Sequence, residues 1–155
     1  MPLFRRRQVD PAITQPRGFL EPLSSDDELV QAWGRPGEQF WWGLRALSWK
    51  TYMEGIRRRN RRDVISAATR LLVPSTERLL ILNPTDETVT KIELREVEDI
   101  RIEESPELGP DRSEVILRIL MGVDDANLMA FDFTARRDQA EAFARHLGSL
   151  VDNLD

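Results

Sequence analysis

The last thirty residues constrain this chain most. Asn127 to Thr134 reads N-L-M-A-F-D-F-T, a strand with Met129, Phe131 and Phe133 on one face. Ala140, Phe143, Ala144, Leu147, Leu150 and Val151 then recur at three- and four-residue spacing, one apolar stripe of an α-helix, while Arg136, Arg137, Glu141, Arg145 and Ser149 fall off it. The Thr134 hydroxyl is expected to cap the helix, and Asp138 puts negative charge in its first turn. A strand running through a short turn into one amphipathic helix makes a lid for something built of strands.

Upstream punctuation supplies those strands. Residues 63–73 fit a helix through Val64, Ala68, Leu71 and Leu72, or a strand through Ile65, Ala67, Leu71 and Val73; the second half is expected to be strand, and Pro74 ends either. Strands follow at Arg78 to Leu82, Thr88 to Leu94, Asp99 to Glu103 and Glu114 to Met121. Between them lie turn signals at Asn83-Pro84-Thr85-Asp86, the loop from Glu104 to Arg112, and Gly122 to Ala126. Ile92, Leu94, Ile100 and Ile102 are the inward positions. Short strands at this spacing argue an antiparallel barrel or sandwich rather than βαβ units.

The first 62 residues read differently. Residues 1–24 form an extended arm punctuated by Pro2, Pro11, Pro16 and Pro22, with scattered apolar residues and no period. Residues 25–62 form a helical, Trp- and Arg-rich region. Ser25-Asp26-Asp27-Glu28 is a capping-box pattern for a short helix that Gly34 and Pro36 stop. Residues 38–62 are expected as one longer helix, with Trp42, Ala46, Trp49, Met53 and Ile56 on a common face. Residues 63–155 make the third division, the sheet-and-helix domain.

Two stretches of that domain resemble the pleckstrin-homology-like superfamily, with its GRAM-like and bacterial variants. Lys91 to Ile102, with Leu94, Val97 and Ile100, is similar to the family's strand, tight corner and strand. Phe131-Asp132-Phe133 through Ala140, Phe143 and Leu147 is similar to its last strand running into the C-terminal capping helix. The resemblance covers about residues 64–151. It implies an α+β fold, a PH-like antiparallel β-barrel or pair of curved sheets capped by a C-terminal α-helix, here preceded by an extended arm and N-terminal helices. It also implies a non-enzymatic module that binds phosphoinositides or proteins. Lipid-binding members carry several basic residues in the loop between the first two strands. Here that loop, Pro74-Ser75-Thr76-Glu77-Arg78, has one arginine and one glutamate, which favours proteins over lipids.

Charge is unevenly divided. Residues 1–62 hold 12 basic and 7 acidic side chains, whereas residues 63–155 hold 10 basic and 20 acidic, within a net charge of −5. The basic side of that split gathers at the residues most suited to a partner: Trp33, Trp41, Trp42, Trp49 and Tyr52, followed by Arg57, Arg58, Arg59, Arg61 and Arg62. Trp, Tyr and Arg are enriched at protein interfaces, and they equally fill cores or form solvated helix ends. The expected function is a non-enzymatic protein-binding or scaffold module, one subunit of a larger assembly. The alternative is a peripheral membrane module that holds anionic phospholipids through the Trp/Arg helix. Nucleic acid is disfavoured by the acidity of the remaining chain. An enzyme is not expected, because there is no nucleophile, metal or cofactor pattern and no cysteine. His146 is expected at the surface, and the acidic side chains Glu93, Glu96, Glu98, Asp99, Glu103 and Glu104 are expected to face water. No apolar run approaches the roughly 18 residues of a membrane span. Arg5, Arg6 and Arg7 precede no apolar segment, and the early prolines oppose a transit-peptide helix, so an intracellular, cytoplasmic home is expected.

Overall fold

A computed structural model describes residues 18–58, 60–108, 113–124 and 126–154. Most of the expected arm, residues 1–17, lies outside the described residues. The fold is α+β: a seven-strand antiparallel sheet capped by a C-terminal helix. The elements run α1 (Glu28–Trp33), β1 (Leu44–Ser48), α2 (Trp49–Gly55), α3 (Arg61–Ala68), β2 (Thr69–Pro74), β3 (Arg78–Asn83), β4 (Thr88–Glu93), β5 (Val97–Glu103), β6 (Glu114–Asp124), β7 (Asn127–Arg136) and α4 (Arg137–Asp152).

Strand order is β4-β3-β2-β1-β7-β6-β5. The two edge strands, β4 and β5, are consecutive in the chain. A 3-10 turn at Leu94–Glu96 joins them, so the sheet must curl until its edges meet at that corner. No ladder joins β4 to β5, and the expected barrel is not closed. The physical reason is the turn itself: it carries the chain from one edge to the other without the register a ladder needs, and α4 occupies the concave side instead. Leu94 and Val97 stand at either end of the turn, both buried, so the strand–corner–strand pattern of this stretch is present.

Strand alternation sorts the apolar residues into two cores. Leu72, Leu79, Ile81, Leu117, Ile119 and Phe133 meet α4 through Ala140, Phe143 and Leu147 on the concave face. Leu71, Val73, Leu80 and Leu82 point the other way, onto Leu23, Leu29, Phe40 and Trp42. β2 and β3 are therefore buried on both faces, which is why they read as near-continuous apolar runs.

The single helix expected over residues 38–62 is not formed. Residues 44–48 are a strand between β2 and β7, and helix resumes only at Trp49, with the Ser48 hydroxyl accepting from the Thr51 N–H. In a strand Leu44 and Ala46 share one face, and both are buried in the concave core. Gly43 explains the change: a Cβ there would lie 1.5 Å from the Leu72 carbonyl oxygen, so the backbone hugs β2 as only glycine can. Residues 63–73 settle as both readings in turn, helix to Ala68 and strand from Thr69. Two caps differ from expectation. Asp27, not Ser25, accepts from the Leu29 N–H at the start of α1. Thr134 is buried within β7 rather than capping α4, because the strand runs on to Arg136.

Candidate functional site

The aromatic residues expected at one interface are distributed by strand alternation. Trp41 and Trp42 are neighbours in sequence and lie on opposite faces. Trp42 is buried in the second core, whereas Trp41 is half-buried with its ring edge-on to His146 of α4, centroids 4.9 Å apart. His146 is thus half-buried rather than exposed. Its Nε2 is buried without a partner among the described residues, and burial pushes its pKa below the ordinary 6.5. Trp33 packs half-buried against the second core, with the Lys91 ammonium 5.0 Å over its ring.

That second core is locked by a buried ion pair that sequence reasoning missed. Arg78, the one arginine of the 74–78 loop, turns inward. Its Nε donates to Glu38 Oε2 at 2.9 Å and its Nη2 to Glu38 Oε1 at 2.6 Å, with the two side chains 4% and 0% exposed. Nη2 also donates to the Trp33 carbonyl at 2.7 Å. Glu38 further accepts from the Ser75 hydroxyl and the Arg35 N–H. Burial alone pushes the Glu38 carboxyl up; the hydrogen bonds from Arg78 and Ser75, then the Arg35 amide, outweigh it and hold the group below its ordinary value. No local signal pairs residues 40 apart in sequence. The only cue was charge within otherwise apolar surroundings. Outside it, Arg35 bridges Glu77 and Glu93, hydrogen bonds that raise its pKa, so two of the loop's neighbouring acids are paired at the surface.

The remaining candidate residues do gather. Trp49 and Tyr52 stack on α2 with centroids 6.0 Å apart and planes 21° apart, both half-buried. α2 ends at Gly55, and Ile56, Arg57 and Arg58 follow, all exposed. α3 begins across the turn, capped by the Asn60 side chain accepting from the Asp63 N–H at 2.9 Å, and presents exposed Arg62 and Ile65. Arg59 lies outside the described residues; Arg61 opens α3, and only its backbone is described. Between the helices is a shallow groove of about 170 Å³ lined by Thr51, Glu54, Gly55, Arg58, Val64 and Ala67. The α2–α3 corner therefore presents two exposed isoleucines, with exposed Arg57, Arg58 and Arg62 outnumbering exposed Glu54 and Asp63.

The acidic side chains split between water and ion pairs. Glu96 and Glu98 are exposed, exposed Asp99 and Glu104 pair with Arg101 and Arg137, and half-buried Glu93 and Glu103 pair with Arg35 and Arg118. Arg118 also binds Asp132 across the β6–β7 ladder at 2.8 Å, a bond that raises the arginine's pKa. Among the described residues no group of three or more histidines and carboxylates could hold a metal, and no helix is long and apolar enough to cross a membrane. No family model matches the chain, and no curated protein matches it.

Proposed function

We propose that this chain is a non-enzymatic binding module, a PH-like sheet-and-helix unit that docks a protein partner through the α2–α3 corner. The observation that carries the reading is the exposure of Ile56 and Ile65 on either side of a turn bearing Arg57, Arg58 and Arg62, on a molecule whose other half is acidic. Exposed apolar side chains at a corner where arginines outnumber carboxylates suit a partner that offers carboxylates around an apolar centre. The inward turn of Arg78 supports proteins over phospholipid headgroups, because it removes the only basic side chain of the 74–78 loop from the surface. The order β4-β3-β2-β1-β7-β6-β5, with a corner between the edges and a helix on the concave side, supports the PH-like comparison.

The test uses the full chain, because removing residues 1–62 would take β1 out of the sheet. Arg57→Glu, Arg58→Glu and Arg62→Glu are combined, and wild type and variant are compared by quantitative co-purification from native extract and by sedimentation with anionic vesicles. Proteins retained by the wild type should drop at least tenfold with the variant, with neither form sedimenting. Identical co-purification refutes the surface, and charge-dependent sedimentation refutes the protein reading in favour of the membrane.

A further inference from the structure

Five large apolar side chains stand exposed among the described residues, and they are not scattered. Ile56 and Ile65 belong to the α2–α3 corner, while Val123, Leu128 and Met129, at 55%, 60% and 46% exposure, belong to the β6–β7 hairpin. The topology brings both groups to one end of the sheet. The chain leaves β1 at Ser48, opposite Phe133, and enters β2 at Thr69, opposite Leu47, so α2 and α3 are an excursion from that end. β7 is antiparallel to β1, so from Phe133 back to Asn127 it runs past the end of β1, a span of about 20 Å at the usual strand rise. α2 packs against it. Exposed apolar residues scattered singly are ordinary; five gathered at one end mark a contact surface.

The two groups carry opposite charge. At the corner, exposed Arg57, Arg58 and Arg62 outnumber exposed Glu54 and Asp63. At the hairpin the balance reverses. Asp124 stands exposed in the turn, its carboxylate accepting from the Ala126 and Asn127 amides. β5 is antiparallel to β6 and starts opposite Met121, which puts exposed Glu96 and Glu98 at the same end. The Glu98 carboxylate lies 3.0 Å from where a Cβ on Gly122 would stand, so it flanks the base of the hairpin. Exposed Arg95 stands against these three acids, and Arg101 is taken up by Asp99. The corner thus suits carboxylates around an apolar centre, and the hairpin of the same chain presents them. Within one molecule both groups stay exposed. Across a two-fold axis each can meet the other's counterpart. An isologous dimer sets residue i of one copy on residue j of the other and j on i, so a basic patch and an acidic patch at one end become self-complementary, and the contact closes.

Resting on the protein-docking role of the α2–α3 corner, we propose that its partner is a second copy of this chain, in a two-fold dimer that sets each corner on the other copy's β6–β7 hairpin. Sedimentation equilibrium of the full chain, from micromolar to submillimolar protein, tests this. At low salt the wild type should be dimeric in the upper part of that range, and added salt should loosen it. The corner variant, Arg57→Glu with Arg58→Glu and Arg62→Glu, and the hairpin variant, Glu96→Arg with Glu98→Arg, should each raise the dimer dissociation constant at least tenfold, because each sets like charges against one another. Asp124 is left in place because it holds the turn. An equal mixture of the two variants should recover a dimer as tight as the wild type, which also shows that both are folded. A wild type that stays monomeric, a variant that dimerises alone as the wild type does, or a mixture that stays monomeric overturns the dimer. If the wild type is monomeric while proteins of the extract still depend on the corner arginines, the second copy is refuted and the corner serves a different protein; if neither association is seen, both readings fail.

Discussion

The two faces of the sheet are covered by unlike means. On the concave face α4 lays down one apolar stripe, and Phe143 and Leu147 reach full burial through regular helical spacing alone. On the other face a largely irregular segment, residues 18–43, supplies Leu23, Leu29, Phe40 and Trp42 one at a time, and Glu38 anchors it to Arg78 beneath. The first cover is held by burial, which is non-directional and tolerant. The second adds a directional lock that only these partners complete. An irregular segment has few backbone bonds of its own, so a buried ion pair also specifies which of many packings it adopts.

The sharpest way to break this contrast is to remove one element from each cover. Glu38→Ala strands the Arg78 guanidinium in the interior and should cost about 3–5 kcal/mol. Phe143→Ala should cost a similar ~3–5 kcal/mol through the cavity it leaves. Urea denaturation measures both. The covers should then part company: Glu38→Leu combined with Arg78→Met should return to within about 1 kcal/mol of wild type, since a buried pair replaced by apolar groups is often neutral. Gly43→Ala, where the irregular cover joins the sheet, should cost about 1–3 kcal/mol as the backbone withdraws from Leu72.

Acid should separate the covers more gently. The unfolded chain protonates His146 near its ordinary 6.5, while the folded chain resists to lower pH, so stability falls as pH drops through that window and levels off once both states are protonated. Glu38 is depressed from an ordinary 4.5, so its contribution is intact above that value and is lost as pH falls through its lower folded value. Thermal melts from pH 7 to 3 should show both losses. His146→Gln should flatten only the first, and Glu38→Gln only the second.

Much of the sheet and all of α4 were legible because period is a local signal. Ile92, Leu94, Ile100, Ile102, Ala140, Phe143 and Leu147 declare their faces within a few residues. The failure at 38–62 has the opposite origin. Trp42, Ala46 and Trp49 fit a helical face by spacing, but a Gly43 backbone pressed on Leu72 sets strand, and tertiary contact overrides periodicity. The arginines at 57, 58 and 62 were legible as exposed because a helix end is where such charges sit, whereas Arg78 looked equally free and is buried. Its partner lies 40 residues away, and nothing near either residue marks the pair. The Thr134 hydroxyl stands where a cap is expected before a helical stripe, but β7 runs two residues farther, to Arg136.

The contrast rests on the coupling between Glu38 and Arg78, and a double-mutant cycle measures it directly. Glu38→Ala, Arg78→Ala and the double variant are compared with wild type by urea denaturation at pH 7. The account predicts a coupling of about 2–3 kcal/mol, with the double variant far less damaged than the two single losses combined. Losses that add within about 0.5 kcal/mol would contradict it and would leave the irregular cover held by burial alone.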